Sequence, residues 1–362
     1  MPILVYFGIQ KTQIEEYLVE VKIIAFILSM VIPCCSIFGQ TKAEETRPSS
    51  DRSKAVLRIA PMIRQSLGKT EYELELFGVD SLLNPVRLRS KLEFPLDAVM
   101  LGGKMSIGQD SKGKRDWSIE LGIFTDLNDP GDMMKDHDWY TGPTDVGYFD
   151  GKFSYTESRT EMTHTVIAIK GEKRITSSQK FALHGFAGYR YQKISQDIIG
   201  YEGWQIDIFH DPSFTPVYGG DDTIKAMLYE VTYKGPFFGV EYGYHLAPSV
   251  SFNIEAAIVA TSASDYDNHL LRNKDAEAEG SGIGFLSSFS LELDPWTATG
   301  SGRPFFEIEG ELFTVNISTR QVQKWYGDDP ISEDDDTGKE YNIPHDISST
   351  QFNLGVRLGL AF

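Results

Sequence analysis

Cysteine is almost absent. The 362-residue chain has two, Cys34 and Cys35, side by side near the N-terminus. That excludes a framework of several disulfides and a cysteine-ligated metal cluster in the body of the chain. Positive charge is also scarce: 34 Lys and Arg stand against 52 Asp and Glu, a formal net charge of -18. A protein that grips phosphate backbones needs the opposite balance, so no nucleic-acid partner is expected. Long apolar runs are rare. The strongest, Ile23 to Ile32, is too short for a comfortable membrane-spanning helix. Apolar residues in general are not lacking, and at 41% they exclude a disordered chain.

The apolar run, preceded by Lys22 and followed by Ser36-Ile37-Phe38-Gly39, reads as the core of a signal peptide over residues 1–40. Glu15, Glu16 and Glu20 lie where positive charge belongs, which points to a true start near residue 21. An N-terminal membrane anchor is the alternative. Residues 41–69 are mixed and polar and read as a flexible leader, with a short helix over Ala55–Ile63. The folded domain is expected over 70–362.

There the period is two. Tyr72, Leu74 and Leu76 alternate with Glu71, Glu73 and Glu75; Met227, Tyr229, Val231 and Tyr233 make another row. In the last stretch, Phe352, Leu354, Val356, Leu358, Leu360 and Phe362 face one side, and Gln351, Asn353, Gly355, Arg357 and Gly359 the other. This is strand grammar. Long strands with apolar residues on one face and Gly, Ser, Thr, Tyr and charges on the other suit a closed antiparallel β-barrel in lipid, of about ten strands. A soluble barrel or sandwich is the plainer reading. The terminal Phe362 looks like the closing residue of Gram-negative outer-membrane barrels.

Acidic stretches at 126–138, 219–222 and 327–336 read as solvated loops. Two short clusters offer chemistry. In Asp136-His137-Asp138-Trp139, an extended backbone puts both aspartates on one side, where they can share a proton and position a water. In Asp265-Tyr266-Asp267-Asn268-His269, Asp265, Asp267 and His269 share a face, and a neighbouring carboxylate suits His269 to general-base work. Each cluster alone is more often a well-hydrated turn. No His-x-x-x-His spacing is present, so no metal is expected. Ser158 lacks the Gly-x-Ser-x-Gly surround of a nucleophile.

Together these residues resemble the omptin family of outer-membrane endoproteases. The matches are Gly131 through Trp139 with its Asp-x-Asp-Trp, Glu157-Ser158-Arg159, and the Asp-x-Asp-x-His of Asp265 to His269. Ser90 to Phe94 and Tyr233 to Gly239 look like further omptin strands, and the resemblance covers about 72–362. It implies a monomeric ten-stranded barrel rising above the outer membrane, with a groove at its mouth. Asp136 and Asp138 would form one wall; Asp267 and His269 the other, with one water between, on the order of 5–6 Å apart. His269 would activate the water, oriented by Asp267. Ser158 and Glu157 would support the groove, and Asp265 would bind a basic substrate residue, although Val86 stands where a second acid is expected. Tyr189 and Lys193 would contact lipopolysaccharide, a possible activating lipid; no other cofactor is implied. The partners are then outer-membrane lipid and a polypeptide at the cell surface. A catalytically idle barrel serving as adhesin, or a narrow porin, are the competing functions.

Overall fold

The computed structural model describes residues 54–79, 82–111, 114–247, 249–294, 302–330 and 335–362. The expected signal peptide and residues 41–53 of the leader lie outside them.

Twelve strands occur among the described residues: β1 (Lys54–Val79), β2 (Pro85–Pro95), β3 (Val99–Ser111), β4 (Lys114–Asp126), β5 (Met134–Thr144), β6 (Gly147–Ser177), β7 (Phe181–Ile206), β8 (Pro216–Ala247), β9 (Val250–His269), β10 (Lys274–Leu293), β11 (Arg303–Trp325) and β12 (Glu340–Ala361). All pairings are antiparallel, and β12 pairs back onto β1, so the hydrogen-bond order is a ring.

Twelve segments reduce to ten abreast. The lower part of β1 pairs with β3 and its upper part with β2. Likewise β6 pairs with β4 below and β5 above. β2 and β3 are thus two halves of one interrupted stave, as are β4 and β5. At either height ten staves lie side by side, as the alternation had suggested. The interruptions are not left open. Ser66 N donates to Ala98 O at 2.8 Å, and Leu96 N to Gly68 O at 3.0 Å. On β6, Met162 N and His164 N meet the side chains of Asp129 (2.8 Å) and Asp126 (2.7 Å) instead of a neighbouring strand. The carboxylate of Asp97 accepts from Gly131 N at 2.9 Å. The first acidic stretch therefore caps backbone donors that would otherwise be unpaired.

Two expectations change. The leader joins the sheet from Lys54 on, and Ala55–Ile63 is strand, not helix. There Ile59 and Ile63 point out while Ala60, Met62 and Arg64 are buried, so both parities carry apolar residues and the alternation is blurred. The stretch 219–222 is also no loop; it lies in β8, paired with β7.

Burial alternates along each strand. On β12, Ile347, Ser349, Gln351 and Asn353 are buried, while every even residue from Phe352 to Phe362 is exposed. The lower interior is charged: Arg357 bonds Glu307 at 2.6 Å, Lys104 bonds Glu309 at 2.7 Å, and Arg190 bonds Glu311 at 3.0 Å, around a cavity of about 240 Å³. Such charges are tolerable inside only because they are paired. Above lies an aromatic layer. Phe94 stacks on Tyr229 with centroids 3.7 Å apart, Tyr72 sits 5.8 Å from each, and Tyr233 bonds Thr70 at 2.6 Å.

The outer surface divides at about the same height. Below are exposed Ile59, Ile63, Leu101, Met105, Val240, Ile254, Ile258, Phe285, Leu354 and Leu358. Above, on β1 and β2, Lys69 and Lys91 form a quartet with Glu71 and Glu93 at 2.8–3.1 Å, followed upward by Arg89–Glu73 at 2.5 Å.

Candidate active site

Asp136 and Asp138 lie on β5, which is paired on both edges. Asp136 stands in a row with Tyr72, Leu92 and Thr156; Asp138 in the next row up, between Ser90 and Ser154. These rows lie at the height of the outer charge quartet. His137 and Trp139 project to the opposite side, where His137 Nδ1 is 2.8 Å from Lys152 Nζ and Arg89 lies over Trp139. The cluster's histidine is therefore separate from its aspartates.

Asp136 Oδ1 is buried with no protein hydrogen-bond partner. Burial first, and then the charge of Asp138, push the Asp136 carboxyl well above the usual range. Burial also raises Asp138, against the opposing pull of the Ser90 and Ser154 hydroxyls and Arg272. Two half-buried carboxylates this strongly coupled titrate as a pair, and they retain a proton into pH values where a free aspartate has lost it.

Asp267 and His269 lie at the upper end of β9. Asp267 is in register with Tyr229 and Ala276, and His269 with Met227 and Lys274. His269 Nε2 is 3.0 Å from Asp267 Oδ1, an ion-pair distance. Asp267, only 1% exposed, also accepts from the Tyr72 hydroxyl and from Gln321 Nε2 at 3.2 Å. Burial favours its neutral form, but His269, Lys274 and the Tyr72 hydroxyl together outweigh this and hold Asp267 below its ordinary value. For His269, burial and the Lys274 cation outweigh Asp267, so the imidazole lies below its usual range and is neutral at pH 7.

The two banks share neighbours. Asp267 and Asp136 both act on the Tyr72 hydroxyl, which burial and these charges keep protonated. Both also act on the Lys274 ammonium, which burial lowers to about 8.

Asp265 points to the same side as Asp267 but is engaged: His345 Nε2 lies 2.7 Å from its Oδ2, and both residues are buried. Val86 sits in an apolar cluster with Tyr140 and Ile206. Ser158 is buried opposite Met134, just below the Asp136–Thr156 pair. Glu157 faces the other way and accepts from the Tyr155 hydroxyl. Tyr189 and Lys193 alternate with buried Arg190 and Gln192, so they lie on the outer face of β7, and Lys193 pairs with Glu230 at 3.2 Å.

Sequence reasoning missed several polar residues around the site: Tyr72, Lys274, Gln321, Gln323, His345, Arg272 and Asp329. Asp329, expected in a solvated loop, is 1% exposed and takes two bonds from Arg272, at 2.9 and 2.7 Å. Lys274 carried one legible signal: it opens the strand that follows His269, so a tight hairpin must place the two side by side. Among the described residues no group of three or more His, Cys, Asp or Glu is arranged to hold a metal ion.

The ring of antiparallel pairings is consistent with a β-barrel, and its fold is similar to that of a known outer-membrane protease. The structural comparison is with the outer membrane protease OmpT of Escherichia coli, at a TM-score of 0.63, 14% identity, and coverage of 88% of this chain and 99% of that one. At that identity the likeness is one of fold. A trimeric outer membrane protein of Vibrio cholerae superposes at a TM-score of only 0.12, with 10% identity over 85% of this chain and 100% of that one. No family model and no curated protein matches the chain.

Proposed function

We propose that the chain is an omptin-like outer-membrane endopeptidase. The ring closes as a barrel whose lower, apolar outer belt sits in lipid and whose upper part stands in water. A spanning strand needs about 9–11 residues, and β8 has 32, so much of each long stave rises clear of the bilayer. The charge quartet on β1 and β2 supports a site above the lipid, and in this reading that end faces the cell exterior.

One observation carries the reading: Asp136 of the aspartate pair and Asp267 of the Asp–His pair both lie near enough to Tyr72 and Lys274 to act on them electrostatically. In this scheme a substrate peptide lies between the walls. Neutral His269 takes a proton from a water as that water attacks the carbonyl carbon, and Asp267 stabilises the imidazolium. The Asp136–Asp138 pair, which holds the water, gives the proton it retains to the carbonyl oxygen. The tetrahedral species then collapses and the C–N bond breaks; the imidazolium returns its proton to the leaving amine, and the hydroxyl proton goes back to the aspartate pair. The orphaned Oδ1 of Asp136 is free to accept from that water. Ser158 supports the wall from beneath. Asp265 gives a preference for basic residues at the cut; equal cleavage of peptides with neutral and basic residues there would remove that part. Tyr189 and Lys193 present an aromatic ring and a cation to lipopolysaccharide.

The test is cleavage of a panel of quenched fluorescent peptides by the purified protein, with and without lipopolysaccharide. Cleavage by the native chain and a loss of at least about 10³-fold in His269→Ala are expected, since His269 is the general base. Full activity in His269→Ala sinks the mechanism. An inert native chain under both lipid conditions favours the adhesin-like reading. Equal rates without lipopolysaccharide remove the lipid requirement alone.

A further inference from the structure

A file of buried polar side chains runs from β10 across β11 to the Asp–His pair. Lys274 Nζ donates to Gln323 Oε1 at 3.4 Å, Gln323 Nε2 to Gln321 Oε1 at 2.8 Å, and Gln321 Nε2 to Asp267 Oδ2 at 3.2 Å. Lys274 and Gln323 are each 5% exposed, Gln321 and Asp267 each 1%. One end is an ammonium, which only donates, and the other a carboxylate, which only accepts. Both amide orientations between them are therefore forced. Every donor points the same way, toward Asp267, and each bond polarises the next.

We infer that Lys274, acting through Gln323 and Gln321, is a positioning residue for the Asp267–His269 pair. The inference rests on the proposed peptidase reading. The file holds Oδ2 of Asp267 and so leaves Oδ1 toward His269. The Lys274 charge does a second thing. The charged groups that act on His269 are Lys274 on β10, Asp267 on β9 and Arg272 in the turn Leu270–Arg272; those that act on Lys274 are Asp267, Arg272, Asp329 beyond β11 and Asp136 on β5. Arg272 is taken up by Asp329, and His345 by Asp265. The bonded acceptor of Lys274 is an amide oxygen, so no hydrogen-bonded acid cancels its charge, and a cation beside an imidazole disfavours the imidazolium. Lys274 thus keeps His269 free to accept a proton at mildly acidic pH.

The test uses the full chain refolded in detergent, with three variants. Lys274→Met removes charge and donor; its acid limb of kcat against pH should move up by at least about half a unit. Lys274→Arg keeps the charge and should hold the limb near that of the native protein. Gln321→Leu breaks the file but leaves the charge; kcat should fall roughly tenfold at constant KM, the scale seen for lost outer-shell partners. A direct readout needs no activity: NMR titration of His269 should show a higher midpoint in Lys274→Met than in the native chain. An unchanged midpoint in folded Lys274→Met, or native kcat in Gln321→Leu, overturns the inference. A native chain that cleaves nothing while the midpoint still moves removes the peptidase reading and keeps the electrostatic role.

Discussion

At the scale of single residues, the site is built against stability. Asp136 has its carboxyl buried, one oxygen unbonded and a second carboxyl beside it. Its folded pKa lies above the ordinary value, so folding takes up a proton, and stability must fall as pH rises between the two. At neutral pH the site therefore carries an electrostatic penalty. Asp136→Asn removes it and should raise the apparent melting temperature in detergent at pH 7, on the order of 2–4 °C for about 1 kcal/mol in a domain of this size. The gain should shrink toward pH 4, where the native carboxyl is also neutral. Peptide cleavage should be lost in the same variant. A melting temperature that drops at pH 7 would show that Asp136 is stabilised by something its surroundings do not reveal.

At the scale of elements, the two interrupted staves are held by side chains where strands are missing. Removing the carboxylate that meets Met162 N should cost about 1–3 kcal/mol, because a buried backbone donor is left unpaired. Asp129→Ala is expected to lower denaturation midpoints by that much, while Asp132→Ala, whose exposed residue contributes only its backbone to the Asp97 cap, should change little. Equal effects from the two would refute the capping role. The sequence hid this. Asp126 and Asp129 looked like solvated acids because their function depends on which β6 donors lack a neighbour, and that is a property of the closed ring. Rows such as Phe352 to Phe362 were legible because local alternation alone decides their face. The spacing of Asp136 with Asp138, and of Asp267 with His269, was legible for the same reason. Gln321, Gln323 and Lys274 were not: strand pairing brings them to Asp267, and nothing in their own neighbourhood marks them. The start of β1 was misread because Arg58 and Arg64 interrupt its inner face with charge that only the interior acids explain.

At the scale of the whole molecule, the aromatic layer argues against an open channel. Tyr72, Phe94, Tyr229 and Tyr233 are each at most 1% exposed and fill the interior at the level of the site and just beneath it. Ten strands leave a narrow lumen even before such side chains fill it. The protein in a planar lipid bilayer should show no steady ionic conductance, and stable porin-like steps would contradict the layering. The charged cavity below that layer then serves the strands around it and not a permeating solute.

The breaks in the two staves fall at one height and next to each other. The panel of β2 and β5, which carries Asp136 and Asp138, is laddered to β1 and β6 but joins the strands below it through the short linkers 96–98 and 127–133, whereas Asp267 and His269 belong to a strand drawn through without a joint. Residues gained or lost in those linkers alter the setting of one jaw and leave its counterpart untouched. On the proposed reading the molecule carries a vice with one jointed and one continuous face, and the aperture between them can be retuned through those joints.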